Sequence, residues 1–362
     1  MKIEFSLATI EDDASLRRLI ASNPVPGGMI SLLYKREPAF FDSVPIMGKQ
    51  SDVIIGRHDG SIMAMGMASY MDCYINGQIK EIGYLSSLRI DKTMRSTTCL
   101  FRGYKFLKKL DAKKNIPFYL STIIEDNHAA IKVLGSHRMS IPRYVDIGRY
   151  TTYAIMLNKH KRAASNSAIT RVKTENELER IVDFINSEGA KKQFYPVYTK
   201  RDMTSFIRFD YRNLWVFRKN DEILGVVGVW DQSGFKQTTV HRYDWKLNLL
   251  KPFYNLSTQF TGYKKLPEYG EKFEYLFLTF VAVKANRLNI FSALLDHIHG
   301  QYADNRYHYM IIGLHENDPL KEALVKFRTI KYHSRMYVVS YKPFNMRVMH
   351  QTPVPYLECS RI

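Results

Sequence analysis

Cysteine is scarce in this chain. Cys73, Cys99 and Cys359 are its only three, far apart and without a paired spacing. That arrangement writes neither a disulfide framework nor a zinc site, so the thiols read as inert and no bound metal is expected. Long apolar runs are also missing. The longest, Tyr275 to Val283, has about half of the roughly 20 residues that a membrane-spanning helix needs, and it reads as a buried strand. The opening residues, Met1-Lys2-Ile3-Glu4-Phe5 followed by Glu11-Asp12-Asp13, have neither the basic head nor the apolar stretch of a secretory signal. Low-complexity tracts and coiled-coil heptads are absent. The expectation is a soluble, cytoplasmic protein with no membrane partner.

What is present is material for a packed interior. Hydrophobic residues make up 45% of the 362 positions and aromatic residues 13%, while the charged fraction is 24%. At about 100–200 residues per domain this length points to two cores of similar size. The formal charge of +18 points to an acidic partner such as nucleic acid, an anionic membrane or a polyanionic cofactor, against the plainer reading of evenly spread solubilising charge.

Residues 158–168 are polar, small and aperiodic, and they divide the chain into residues 1–157 and 169–362. Each part repeats one order of signals, which reads as an internal duplication. A strand over Ile3–Ala8 and a helix over Ile10–Ile20 are echoed by Ile169–Val172 and Thr174–Ile185. A hairpin with Asp59-Gly60 at its turn is echoed by the segment Arg218–Trp230. The second part alone carries a basic and aromatic insertion, roughly residues 232–272, which suits base stacking and phosphate contact or a lid packed over the sheet. After it the parts overlay without a gap, Ile82–Ile90 on Glu274–Val281 and Thr98–Leu110 on Asn289–Gln301. A β-like stretch closes each, Arg143–Leu157 and Tyr332–Tyr341. Strand–helix alternation with early hairpins predicts an α/β (mixed α+β) sheet covered by helices.

One strand-to-helix junction has the composition of an anion site. Leu88-Arg89-Ile90 ends a strand, and Arg95-Ser96-Thr97-Thr98-Cys99-Leu100 leads into a helix. The first amide groups of a helix have no internal partners and lie at its positive end, so they receive a phosphate readily. This segment resembles the acyl-CoA-binding segment of the GCN5-related N-acetyltransferases, in which Arg or Gln is followed at set spacing by two small residues. Arg95 matches the leading Arg, whereas Thr98 and Leu100 stand where the family keeps glycine. Phe118–Leu134 resembles the family's later strand and helix, with Asn127 at the helix start and Leu134 where a proton-donating Tyr is common. The fold implied is two tandem domains of this acyltransferase type.

The resemblance implies acetyl-CoA as cofactor and transfer of an acetyl group to an amine, on a small molecule or a peptide. Leu88, Arg89, Ile90, Arg95, Ser96, Thr97, Thr98, Cys99, Leu100 and Asn127 would hold the cofactor. Glu81 stands where the family often keeps its base, and Tyr84 or Tyr144 would replace the missing acid. In the second part Asn286 replaces the Arg and Phe291 occupies the last glycine position, which implies a degenerate cofactor site. Paired domains of this fold without a glycine-rich loop also resemble tRNA-dependent aminoacyl transferases, and a non-catalytic binding module is the remaining alternative. His297 and His299, two apart on a helix, read as surface histidines. Lys159, Lys161 and Arg162 read as a solvated basic tether.

Overall fold

Two tight turns organise the sheet. Asp59 and Gly60 both take positive φ (48° and 77°), as do Asn220 and Asp221 (50° and 61°), the backbone that a two-residue hairpin requires. The computed structural model describes residues 3–25, 29–95, 98–114, 116–136, 141–161, 166–342 and 354–362. Strands of the first part are β1 (Glu4–Leu7), β2 (Ile30–Lys35), β3 (Gln50–His58), β4 (Ser61–Ile75), β5 (Gln78–Ile90), β6 (Tyr119–Ile124) and β7 (Arg143–Met156). Its helices are α1 (Asp13–Ala21), α2 (Cys99–Lys114) and α3 (His128–Leu134). The second part contributes β8 (Ile169–Arg171), β9 (Leu214–Lys219), β10 (Glu222–Trp230), β11 (Gln237–Tyr243), β12 (Tyr275–Val283), β13 (Tyr309–His315) and β14 (Thr329–Ser340). It adds the helices α4 (Leu178–Gly189), α5 (Lys200–Ser205), α6 (Trp245–Thr261) and α7 (Leu288–Tyr302).

Helix starts follow local chemistry. Thr9 with Asp12, and Thr174 with Glu177, form capping boxes ahead of α1 and α4, satisfying amide groups that would otherwise lack acceptors. Leu178, Ile181, Val182 and Ile185 then lie buried along one face of α4. After Asp318, Pro319 opens a short 3-10 turn that runs to Leu324.

Twelve strands form one mixed sheet in the order β1-β3-β4-β5-β6-β14-β7-β13-β12-β10-β9-β8. Among the described strands, only β5 with β6 and β12 with β13 pair in parallel. The closing strands are exchanged between the two parts of the chain: β14 lies antiparallel between β6 and β7, and β7 lies between β14 and β13. A separate two-stranded ribbon pairs β2 with β11, so the insertion is stitched to the first part of the chain. The expectation of two cores of similar size is corrected accordingly. The largest apolar cluster mixes Leu16, Ile55 and Met67 with Ile181, Val226 and Trp230, because α1 and α4 bury their stripes on the same side of a shared sheet.

Candidate active site

The site is built where two parallel strands part. β5 pairs with β6 only over Gly83–Leu85 against Tyr119–Ser121, and β5 then runs on to Ile90 along β4. Gly83 is required at the start of this pairing, since a Cβ there would lie 2.0 Å from the Tyr119 ring. At Ser87 the backbone takes φ 55° and the β4–β5 register shifts. A left-handed serine costs on the order of 1–2 kcal/mol, and this bulge turns the strand away from β6. On either side of it, the Ser86 hydroxyl and the Arg89 Nε are buried without a hydrogen-bond partner among the described residues. Burial also pulls the Arg89 pKa down. Two orphaned polar atoms beside one strand opening mark a place that a polar ligand would satisfy.

The strand-to-helix loop sits next to this opening. Asp91 accepts from the Thr93 amide (2.9 Å) and hydroxyl (2.7 Å), fixing the turn after Ile90. Those hydrogen bonds hold its carboxyl below the usual range. Arg95 is exposed and donates to Asn23 Oδ1 (2.9 Å) and to the Ile90 carbonyl (3.3 Å). Ser96 and Thr97 lie outside the described residues. Thr98 is exposed, and its carbonyl accepts from the Arg102 amide (3.1 Å). Cys99 is buried, and Leu100 packs with Tyr104 and Leu107. The missing glycine at position 100 is thus absorbed by a side chain turned toward the core. Leu88 stays exposed. Asn127 caps α3 by accepting from the Ala130 amide (3.2 Å), and Leu134 is buried under α2.

The three residues expected to handle protons are scattered. Tyr84 is buried, its hydroxyl 2.9 Å from Thr122 Oγ1, and burial pushes it up to about 12. It lines a small interior cavity with Cys73, Phe194, Leu357, Glu358 and Arg361. Tyr144 lies in a different apolar cluster, beside Tyr104 at 2.7 Å. Glu81 is exposed and faces Asp72 across the β4–β5 ladder. The structure therefore brings Leu88, Arg89, Ile90, Arg95 and Thr98 to one loop and leaves Glu81 and Tyr144 apart from Tyr84.

Sequence reasoning missed the segment 354–362, which returns to the interior. Glu358, 3% exposed, accepts from the Tyr356 hydroxyl (2.8 Å), the Ser360 hydroxyl (3.0 Å) and the Phe280 amide (2.9 Å). Arg361 Nε donates to the Ile46 carbonyl (2.7 Å). Phe280 takes φ 54° at a bulge of β12 against β10, the counterpart of Ser87 in β5. The bulge amide of the second part is thus already held by a carboxylate. The gapless overlay needs correction here, because it would set Ser87 against Leu278. Arg287, rather than Asn286, ends the turn that matches the one Arg95 ends. Phe291 is buried in the core under α7 and does not stand in the loop. His299 is likewise buried, 3.2 Å from the Met156 carbonyl, which corrects its reading as a surface residue. Lys161 lies 3.9 Å from the Phe327 ring centre and 3.5 Å from Asp296, so it is docked and not part of a free tether; Arg162 lies outside the described residues.

Lys236, also buried, donates to the Ile362 carbonyl (2.8 Å) and the Ser360 carbonyl (3.4 Å), and burial lowers it to about 7. Above pH 7 the folded protein therefore binds fewer protons at this site than the unfolded chain, and stability rises with pH. Relative to Lys236→Met, the wild type should gain about 2 kcal/mol between pH 7 and 9. Urea unfolding at both pH values checks this.

The fold is that of GCN5-related N-acetyltransferases and N-myristoyltransferase, a large mixed sheet with helices packed on it. Among solved structures, yeast (Saccharomyces cerevisiae) N-myristoyltransferase with bound myristoyl-CoA matches 94% of this chain and 83% of its own, at 10% identity and a TM-score of 0.61. A GCN5-related N-acetyltransferase from Anabaena variabilis matches 94% and 73%, at 9% identity and a TM-score of 0.54. One from Kribbella flavida matches 94% and 72%, at 8% identity and a TM-score of 0.51. No family profile and no curated protein sequence matches this chain.

Proposed function

We propose that the protein is an N-acyltransferase that moves an acetyl group from acetyl-CoA to an amine. The observation that carries this reading is the opening between β5 and β6, with Ser86 Oγ and Arg89 Nε orphaned beside it. The residues fit the group: Ser86, Arg89 and the strand amides near Leu88 and Ile90 would hold its polar arm, while Arg95 and the first amides of α2 would meet its phosphates. When bound, acyl-CoA supplies a thioester carbon and a thiolate leaving group.

The acceptor amine must lose a proton, its nitrogen must bond to the acyl carbon, and the carbon–sulfur bond must break with a proton delivered to sulfur. Tyr84 is the donor that the family resemblance leaves to this chain; its buried hydroxyl lies 2.9 Å from Thr122 Oγ1. Glu81 is the base that the family resemblance implies; its exposure leaves it in contact with water. The second part of the chain has its bulge amide committed to Glu358, which favours a supporting role for it. The comparisons give a nucleic-acid partner no support.

The test is release of free CoA thiol from acetyl-CoA and from myristoyl-CoA with a panel of primary amines, read by a thiol reagent. All three cysteines of the protein are buried, which keeps the background low. Amine-dependent release from acetyl-CoA is the expected result. Release confined to myristoyl-CoA would replace the acetyl assignment, and no release from either would sink the enzyme reading.

A further inference from the structure

The helix α6 presents an apolar face that the fold does not use. Trp245, Leu249, Phe253, Leu256 and Phe260 recur at helical spacing, and at about 100° per residue they fall within an arc of roughly 80°. All five are exposed, Trp245 by 74%, Phe253 by 70% and Phe260 by 80%. The opposite side of the helix does the packing: Leu247 and Tyr254 meet an apolar cluster that includes Val240 and Leu266, and Lys251 and Thr258 are buried. Soluble proteins scatter single exposed apolar residues, but a continuous stripe with aromatic rings marks a contact surface.

The surroundings of this stripe are cationic. Arg242 and Lys246 are exposed at its start, and Lys265 is exposed just past its end. At that end the Asn158 side chain donates to the Thr261 carbonyl (2.9 Å) and the Lys159 amide to the Gly262 carbonyl (3.0 Å). These bonds bring against the helix a cleft of about 270 Å³ lined by His160, Lys161, Lys326 and Arg328 together with Tyr263. Asp296, which pairs with Lys161 and Lys326, leaves that group net positive. A second copy presenting the same face would bring these like charges together, at an electrostatic cost. An anionic lipid surface accepts both features: apolar rings enter the headgroup–acyl boundary, and each nearby Lys or Arg adds attraction. No helix among the described residues is long and apolar enough to cross a membrane, so the contact is one of lying on the surface.

We infer that α6 docks the protein onto anionic phospholipid membranes, with the cation-lined cleft at its end receiving phosphate or carboxylate headgroups. This departs from the expectation of no membrane partner, and it stands independently of the catalytic reading. Trp245 supplies the probe, because Trp215 and Trp230 are buried. The full chain is titrated with phosphatidylcholine vesicles, with and without phosphatidylserine, while tryptophan emission and vesicle co-flotation are followed. The expected result is a blue shift and flotation with the serine lipid, weakened by salt, and reduced more than tenfold in Phe253→Glu. That exposed position should leave the thermal midpoint unchanged, and circular dichroism confirms it. Equal binding to both vesicle types, or binding unaffected by Phe253→Glu, would overturn the inference. So would the absence of vesicle binding together with a dimer that Phe253→Glu dissociates.

Discussion

A fragment of residues 1–161 expressed alone is expected to remain unfolded, and mixing it with residues 166–362 from denaturant is expected to restore native structure. The reason is the exchange of closing strands. The twelve-residue β14 supplies the neighbour of β6 along one edge and of β7 along the other. Without it β6 is an open edge, and Tyr337, Val339, Met336 and Val338 are withdrawn from the two clusters around Tyr119 and Tyr84. The shared cluster under α1 loses every partner on α4 and β10 at the same time. Losses of this extent exceed the roughly 5–15 kcal/mol that holds a native protein together. Far-UV circular dichroism and unfolding of each fragment, and of the mixture, provide the check. A first fragment that unfolds cooperatively by itself would show that the exchanged strand is dispensable.

The second large effect is expected at Glu358. Its carboxylate gathers the Phe280 amide, the hydroxyls of Tyr356 and Ser360, and at 3.5 Å the hydroxyl of Tyr198. Tyr356 is pushed well above the usual tyrosine value by burial and then by this neighbouring charge, and Tyr198 is pushed up in the same way. Both rings therefore stay protonated and donate. Removing the acceptor leaves several buried donors without partners, at about 1–3 kcal/mol for each unmet group with some relaxation between them. Glu358→Ala should cost about 3–5 kcal/mol in urea unfolding. Glu358→Gln, which keeps the volume but turns one acceptor into a donor, should cost less. A loss below about 1 kcal/mol in the alanine variant would mean that residues 354–362 do not anchor β12 as described.

Neither of these two features was visible in the sequence, although much around them was. The hairpins were legible because Asp59-Gly60 and Asn220-Asp221 are local signals with one favourable backbone solution. The helices α1 and α4 announced themselves through a polar, acidic start and a helical apolar period, and the strand-to-helix junction before α2 through Arg95 and the residues that follow it. Strand exchange was not legible. A strand's alternation of side chains is satisfied by any neighbour of matching face, so β7 and β14 read alike beside either part of the chain. The bulges at Ser87 and Phe280 were hidden for a related reason: a bulge inserts a residue without changing composition, and it put the overlay of β5 on β12 out of step. Glu358 and Lys236 carried only the signal of single charged residues among aromatic neighbours, and nothing local separates these from surface positions. His299 was misplaced on similar grounds, since its burial follows from packing against Met156 and Phe327.

The stripe on α6 shows the converse. Its residues were visible as a basic and aromatic insertion that could equally form a lid or a stacking surface. Only the structure separates the side turned inward, with Leu247 and Tyr254, from the side left to solvent.

Acyl-CoA binding at the opening between β5 and β6 is measured by calorimetric titration of acetyl-CoA into the wild type, Arg89→Ala and Arg95→Ala. The expected result is binding by the wild type and a loss of about tenfold or more in Arg89→Ala, from removal of a buried charged donor beside the ligand. Arg95→Ala should weaken binding in a salt-dependent manner, as expected for an exposed phosphate contact. Wild-type binding that is unchanged in both variants, or no binding of acetyl-CoA or of longer acyl-CoA to any of the three, would contradict it.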